Sequence, residues 1–220
     1  MTRSNLADSA MFHLRGKFIV FDGGEGCGKS TQAAMLQTAL QQAGVPTLLV
    51  RDPGSTHIGE QIRAILLDPQ HHRMSMRCEM LLYMAARAQM VKELIDPALA
   101  AGQCVICDRF ITSTLAYQLG GDALTAEEIH RVGQVAVGGR WPDLTILLDM
   151  PVDRSAARLA HAPDRIEQRP VEYHQRVREN YLAQARQHEK KVRIIDADRD
   201  RQAIHADVMR LLGQMKDDWV

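Results

Sequence analysis

The sequence has no excess charge of either sign and no long apolar run. Its 27 lysines and arginines balance 27 aspartates and glutamates, so the formal net charge is zero. This balance provides no electrostatic footprint for nucleic acid or for an anionic membrane surface. No stretch approaches the ~20 apolar residues that a membrane span requires. We therefore expect neither nucleic acid nor a membrane among the partners.

Cysteines are few, and they form no metal or disulfide pattern. The four are Cys27, Cys78, Cys104 and Cys107. Without the apolar core of a secretory signal near the start, a chain of this length is expected to keep reduced thiols in the cytoplasm. Cys104 and Cys107 have the CxxC spacing, but they lie in a predicted strand, where odd spacing sends side chains to opposite faces. A zinc or redox pair is therefore not expected.

Short apolar runs alternate with helical patterns along the chain. Five runs predict strands at 17–22, 47–50, 104–107, 144–149 and 192–195. Because most are continuously apolar, they suit a parallel sheet covered on both faces. Helical patterns lie at 29–43, 58–67, 76–101 (with Pro97 kinking or restarting it), 125–137, 152–160, 170–190 and 201–212. The pattern predicts one three-layer α/β domain over residues 16–220, with a five-stranded parallel sheet, after a poorly ordered extension at 1–15.

The stretch GGEGCGKS fits the GxxxxGK[ST] pattern of a phosphate-binding loop, or P-loop. It follows a predicted strand and opens a predicted helix, as the pattern requires. Glycines let main-chain N–H groups converge on an anion, and the helix N-terminus adds positive potential. Lys29 supplies a charge for the outer phosphates, and the Ser30 hydroxyl a ligand for Mg²⁺. The loop predicts ATP-like ligand contacts at Gly23, Gly24, Glu25, Gly26, Cys27, Gly28, Lys29, Ser30 and Thr31.

A second set of polar residues surrounds the end of the third predicted strand. There, Asp108 can hold Mg²⁺ directly or through water, and Arg109 can clamp a second phosphate. Tyr83 and Arg87 lie four residues apart on one face of a predicted helix. Beyond Arg109 come hydroxyls and an amide suited to a flat base and a sugar, from Ser113, Thr114, Tyr117 and Gln118. The Asp108–Arg109 pair alone is equally compatible with a surface ion pair.

Taken together, these motifs resemble those of bacterial thymidylate kinases from about Gly16 to Leu212. FDGGEGCGKSTQ is similar to the family's phosphate loop, and RDPGSTHIGEQIR to REPGGTPIGExIR. LLYMAARAQ and DRFITSTLAYQ are similar to LLFAAxRAQ and DRYxxSxxAYQ, and WPDLTILLDMP and DRIE…RVRENYL complete the set. Several motifs in the family's order and spacing make the resemblance specific.

The resemblance implies a nucleoside monophosphate kinase with a lid at about 154–170. It implies transfer of the ATP γ-phosphoryl group to dTMP, giving dTDP and ADP for dTTP synthesis, with Mg²⁺ and as a homodimer. A kinase for another nucleoside monophosphate such as dUMP, a deoxynucleoside kinase, or an inactive nucleotide-binding module remain the alternatives.

The resemblance also implies roles for individual residues. Tyr83 stacks on the base, Arg87 hydrogen-bonds it, and Arg109 holds the acceptor phosphate. Glu25 contacts the metal or the acceptor sugar, and Tyr117 crowds the 2′ position. Ser113 and Gln118 line the base site, while Asp52 and Arg51 border the acceptor phosphate.

The sequence departs from the family pattern in three places. Asp52 and Ser55 replace a Glu and a Gly in REPGG. In the lid, only Arg158 and Arg165 remain of several arginines, and Gly26 stands where some relatives keep a P-loop arginine. Because phosphoryl transfer needs positive charge over the migrating group, we predict that Arg158, with Arg165 in support, supplies it. Arg154 and His161 are weaker candidates.

Overall fold

The computed structural model describes residues 9–159 and 162–214. Five strands form one sheet in the order β2-β3-β1-β4-β5, and all its neighbouring strands are parallel. The strands are β1 Phe18–Gly23, β2 Thr47–Arg51, β3 Cys104–Asp108, β4 Leu144–Asp149 and β5 Val192–Asp196. The predicted five-stranded parallel sheet is thereby confirmed.

Helices cover both faces of this sheet. They are α1 Lys29–Gln42, α2 His57–Leu67, α3 Met76–Met90, α4 Asp96–Ala100, α5 Ile111–Gln118, α6 Ala126–Val137, α7 Val152–Ala156, α8 Val171–Gln187 and α9 Arg201–Gln214. The helix predicted over 76–101 is divided by a π-helical turn, Val91–Ile95, just before Pro97. Proline lacks an N–H group and disturbs the regular hydrogen-bond ladder upstream of it. The sequence did not predict α5, because its residues are buried on every side and show no amphipathic stripe.

Two apolar cores lie on opposite faces of the sheet. Along β1, Phe18 and Val20 enter one core while Ile19 and Phe21 enter the other. The first core is closed by α3, α5, α6 and α8, and the second by α1 and α9. Cys104 and Cys107 enter different cores, as their spacing predicts. Burial of both faces is the reason that the strands are continuously apolar.

The described part of the predicted N-terminal extension has a defined conformation. Ser9–Leu14 form a 3₁₀-helix, Leu14 is fully buried in the second core, and the His13 ring nitrogen lies 2.9 Å from the main-chain oxygen of Leu212. A poorly ordered extension was predicted, but residues 9–14 instead adopt a helical conformation. The reason is that burial of Leu14 adds apolar area to the core and so stabilises this segment. Residues 1–8 lie outside the described range. None of the described helices has the length and apolar character needed to cross a bilayer.

Candidate active site

The P-loop connects the end of β1 to the start of α1. Gly23 and Gly26 have φ angles of 140° and 68°, a region that side chains with a Cβ rarely adopt. A Cβ on Gly23 would collide with the main-chain oxygen of Leu148, and one on Gly26 with that of Ser155. Only glycine therefore lets this loop pack directly against β4 and α7.

The Lys29 side chain curls back into the loop. Its ammonium Nζ donates to the main-chain oxygen of Gly24 at 2.6 Å and lies 3.7 Å from Sγ of Cys27. The side chain is almost fully buried. A positive charge is therefore held inside the loop, at the position where the pattern expects phosphate.

Ser30 and Asp108 form a pair of side-chain oxygen groups beside the loop. The hydroxyl of Ser30 donates a short hydrogen bond to Oδ2 of Asp108. They meet because β1 and β3 are neighbours whose carboxyl ends share one edge of the sheet. No group of three or more His, Cys, Asp or Glu able to hold a metal occurs in the described part of the chain. The pair still fits Mg²⁺, which at nucleotide sites takes one or two protein oxygens and completes its shell with phosphates and water.

The guanidinium of Arg109 is the most heavily bonded charge in the site. Nη1 donates to the main-chain oxygen of Gly23 at 2.9 Å, and Nη2 donates to Oε1 of Glu25 at 2.6 Å and to the hydroxyl of Tyr117 at 3.1 Å. The group also lies 5.1 Å from the centre of the Tyr117 ring. Arg109 is thus fixed at the mouth of the P-loop.

Glu25 is ionised at neutral pH. Burial alone would raise its pKa, but the positive charges of Arg109 and Lys29 outweigh burial and lower this pKa to about 2. The hydroxyl of Tyr117 donates to the same carboxylate at 2.9 Å. The Glu25 carboxylate, Tyr117 and Arg109 therefore form one coupled unit.

A pocket of about 510 Å³ opens beside this unit. All the residues predicted to bind the acceptor nucleotide line it, namely Asp52, Tyr83, Arg87, Arg109, Ser113, Tyr117 and Gln118. Pro53, Arg63, Leu67, Thr114, Asp164 and Ile166 are further members of the lining. The structure thus brings together residues that directly follow β2 and β3 with residues of α3 and α5, all far apart in the sequence.

Arg87 is held rigidly in the wall of this pocket. Its Nε lies 2.5 Å from Oδ2 of Asp52, Nη1 donates to the Thr114 hydroxyl at 3.0 Å, and Nη2 donates to the main-chain oxygen of Phe110 at 3.1 Å. Burial raises the pKa of Asp52, while the charge of Arg87 opposes that rise. The prediction placed Asp52 at the acceptor phosphate, whereas in the structure its carboxylate is the buried partner of Arg87.

A larger pocket of about 1170 Å³ contains the P-loop and continues into the first. It is lined by Lys29, Ser30, Thr31 and Asp108, and the two pockets share Glu25, Asp52, Arg63, Arg109 and Asp164. The shared residues include Arg63 and Arg109, so two cations face both compartments.

Arg63 on α2 is a candidate binding residue that the sequence analysis did not single out. It lines both pockets, and Nη1 donates to the main-chain oxygen of Pro53 at 3.1 Å. Burial and the neighbouring charge of Arg51 lower its pKa. Arg51 lines the P-loop pocket but pairs with Glu60 at 3.2 Å. The signal was present, since Arg63 closes the RDPGSTHIGEQIR motif.

The predicted lid arginines lie in different environments. Arg158 lines the P-loop pocket, where Nη1 donates to the main-chain oxygen of Ala197 at 3.3 Å. Arg165 is buried, with Nη2 lying 2.6 Å from Oε2 of Glu79 and Nε donating to the main-chain oxygen of Leu66 at 2.7 Å. Arg165 was predicted to assist Arg158 at the transferred phosphoryl group. In the structure its charge is instead compensated by Glu79.

The weaker candidates add little to the lid. Arg154 is largely exposed and pairs with Asp198 at 3.3 Å. His161 lies outside the described residues.

A P-loop on a five-stranded parallel sheet, joined through Arg63 and Arg109 to a second polar pocket, defines a phosphotransferase of the nucleoside monophosphate kinase class. A sequence model of the family described as "Thymidylate kinase" matches residues 21–208. The chain belongs to the thymidylate kinase family.

Individual relatives agree with this assignment. The chain is 42% identical over 207 residues to a thymidylate kinase of Pelotomaculum thermopropionicum, covering 93% of this chain and 96% of the relative. It is 43% identical over 199 residues to that of Symbiobacterium thermophilum, covering 90% and 93%. Its fold is similar to a crystal structure of thymidylate kinase from Ehrlichia chaffeensis, with a TM-score of 0.74 and 27% identity over 90% of this chain and 98% of that one.

Proposed function

We propose that the protein transfers the γ-phosphoryl group of ATP to dTMP, giving dTDP and ADP for dTTP synthesis. One observation carries this proposal: the P-loop pocket and the pocket lined by Tyr83 and Arg87 meet at Arg109. Two phosphate chains bound in these pockets face each other end to end, as an in-line transfer requires.

On the donor side, the loop amides and Lys29 hold the ATP phosphates, with Thr31 beside them. Ser30 and Asp108 would hold Mg²⁺, which neutralises phosphate charge when it is bound. A further pocket of about 830 Å³ adjoins the loop and is lined by Gly28, Thr31, Gln32, Arg199 and Arg201, among others. We assign the donor nucleoside to this pocket, because it shares Gly28 and Thr31 with the P-loop pocket.

On the acceptor side, Arg109 holds the dTMP phosphate. Tyr83 stacks on the base, Arg87 hydrogen-bonds it, and Ser113 and Gln118 complete the wall. Tyr117 crowds the 2′ position and so favours a deoxyribose, while Glu25 contacts the sugar or the metal. The support for these roles is that every one of these side chains lines the same pocket.

The transfer itself requires no strong general base, because the acceptor phosphate is already an anion at neutral pH. Catalysis is then mostly alignment and charge neutralisation. Lys29 and Arg109 supply fixed positive charge, and Glu25 keeps Arg109 oriented until the acceptor phosphate arrives. Arg158 covers the migrating group, and closure of the lid excludes water.

A coupled assay of ADP release tests this function and separates it from the alternatives. With ATP and Mg²⁺, we expect kcat/KM to be highest for dTMP, with dUMP about 10–200-fold poorer because it lacks one methyl group. dCMP and dGMP serve as further competitors, and Lys29→Met is the inactive control. Preference for another monophosphate would indicate a different kinase, and no dTMP-dependent ADP release would indicate an inactive nucleotide-binding module.

An apolar surface supports the homodimer that the family resemblance implies. Helices α2, α3 and α6 pack side by side, and their outer faces expose Ile58, Ile65, Leu81 and Val135. We infer that a second copy covers this face, because clustered exposed apolar side chains mark association surfaces. Sedimentation should show a dimer that Leu81→Glu converts to monomer; a wild-type monomer would contradict it. We also infer a cytoplasmic location, where reduced thiols persist.

A further inference from the structure

A buried polar cluster lies directly behind Arg109. Asp22 is the penultimate residue of β1 and is completely buried. Two hydroxyl groups donate to its Oδ1 atom at 2.6 Å each, one from Ser113 on α5 and one from Tyr181 on α8. The main-chain N–H of Gly23 donates to the same oxygen at 3.1 Å. The carboxylate therefore joins three elements at a single atom.

The two hydroxyl groups also contact the guanidinium. Nη1 of Arg109 lies 3.2 Å from the hydroxyl oxygen of Ser113 and 3.1 Å from that of Tyr181. A hydroxyl group has one hydrogen to donate and two lone pairs. Because a guanidinium only donates, both oxygens accept from Nη1, and their hydrogens are left for Asp22 and for the 2.7 Å contact between the two hydroxyl groups. The carboxylate thus determines the direction of the hydroxyl groups, and they determine the position of Nη1.

We propose that Asp22, Ser113 and Tyr181 are positioning residues that fix Arg109 for the acceptor phosphate. Nη1 is tied to Gly23, Ser113 and Tyr181, whereas Nη2 is tied to the partly exposed Glu25. The Nη1 side is the anchored edge of the group, and the Nη2 side is the edge that exchanges Glu25 for phosphate. This inference rests on the proposed role of Arg109.

The helical spacing of Tyr181 explains why its ring is buried, but it does not explain why the ring carries a hydroxyl group. Tyr173, Val177, Tyr181 and Ala185 form the buried stripe of α8, and such a stripe ordinarily serves packing alone. Phenylalanine would fill the same space. The tyrosine hydroxyl contributes three polar contacts, to Asp22, Ser113 and Arg109.

The test compares two ligands that differ only in the phosphate. Calorimetry gives Kd values of thymidine and dTMP for the wild type and for Tyr181→Phe. Loss of a hydroxyl acceptor to a charged donor should weaken dTMP binding about tenfold and leave thymidine binding within about twofold of the wild type. The matched control is Tyr173→Phe on the same helix, whose buried hydroxyl donates to the main-chain oxygen of Tyr117 at 3.1 Å. It should leave both Kd values within about twofold.

Each outcome decides between a positioning role and a packing role. Equal weakening of both ligands by Tyr181→Phe, or no weakening in a variant with wild-type thermal stability, overturns the proposal. If Tyr181→Phe does not fold, Ser113→Ala deletes the other hydroxyl; because Ser113 also lines the base site, its expected result is an about tenfold loss of the preference for dTMP over thymidine. A wild type that binds dTMP no tighter than thymidine refutes the acceptor site itself. A wild type that prefers dTMP, with the preference kept in both hydroxyl variants, refutes only the positioning role.

Discussion

Replacing Arg165 with methionine should cost stability rather than chemistry. Methionine keeps an unbranched apolar stem but removes the charge that faces Glu79. The Arg165 side chain is 4% exposed and that of Glu79 is 0% exposed. Breaking a buried ion pair by removing one partner typically costs about 3–5 kcal/mol. Glu79 keeps contacts with Arg169 at 3.1 Å and with the Gln118 amide at 2.8 Å, so we expect the lower end, about 3 kcal/mol.

Urea denaturation followed by circular dichroism measures this loss. Arg131→Met is the control, because Arg131 forms an i,i+4 pair with Glu127 and its side chain is 77% exposed; it should cost at most about 0.5 kcal/mol. The double variant Glu79→Gln with Arg165→Met should lose less stability than Arg165→Met alone, since it leaves no buried carboxylate that has lost one of its two counter-ions. A loss below about 1 kcal/mol together with a fall in kcat of about 10³ or more would refute the structural role and place Arg165 at the transferred phosphoryl group.

Three further predictions concern the site itself. Arg158→Ala should lower kcat by about 10³-fold or more in a folded protein. A near-normal kcat in this variant, or a fall of that size in Arg154→Ala instead, would show that Arg158 does not supply the charge over the migrating phosphoryl group. Asp52→Asn should destabilise the protein by about 3 kcal/mol and weaken dTMP binding, because it leaves Arg87 buried without a counter-ion; unchanged urea unfolding would contradict this. The pKa of Glu25 is lowered from 4.5 to about 2, so its stabilising contribution is complete above pH 4.5 and disappears as the pH falls towards 2. The difference in unfolding free energy between wild type and Glu25→Gln should shrink over that range, and a constant difference would argue against the ion pair.

Local patterns sufficed for the sheet and for the position of the P-loop between β1 and α1. Each strand is a short apolar run, and the P-loop is a contiguous pattern whose backbone conformation depends on glycines within it. The residues from Asp52 to Gln118 that the family resemblance assigns to the acceptor come from separate motifs, and the structure gathers them around one pocket. Helix α5 did not follow, because a segment buried on all sides has no periodic signal.

The partners of the charged side chains were decided only by the tertiary structure. The helical spacing of Tyr181 with Tyr173, Val177 and Ala185 is that of a buried stripe, but only the packing of α8 against α5 brings its hydroxyl to Asp22 and Ser113. In the same way, the family resemblance placed Arg165 in the predicted lid segment, and only the fold pairs it with Glu79. The physical reason is that burial follows from apolar spacing along one element, whereas charge compensation depends on which side chains meet across elements that are distant in the sequence.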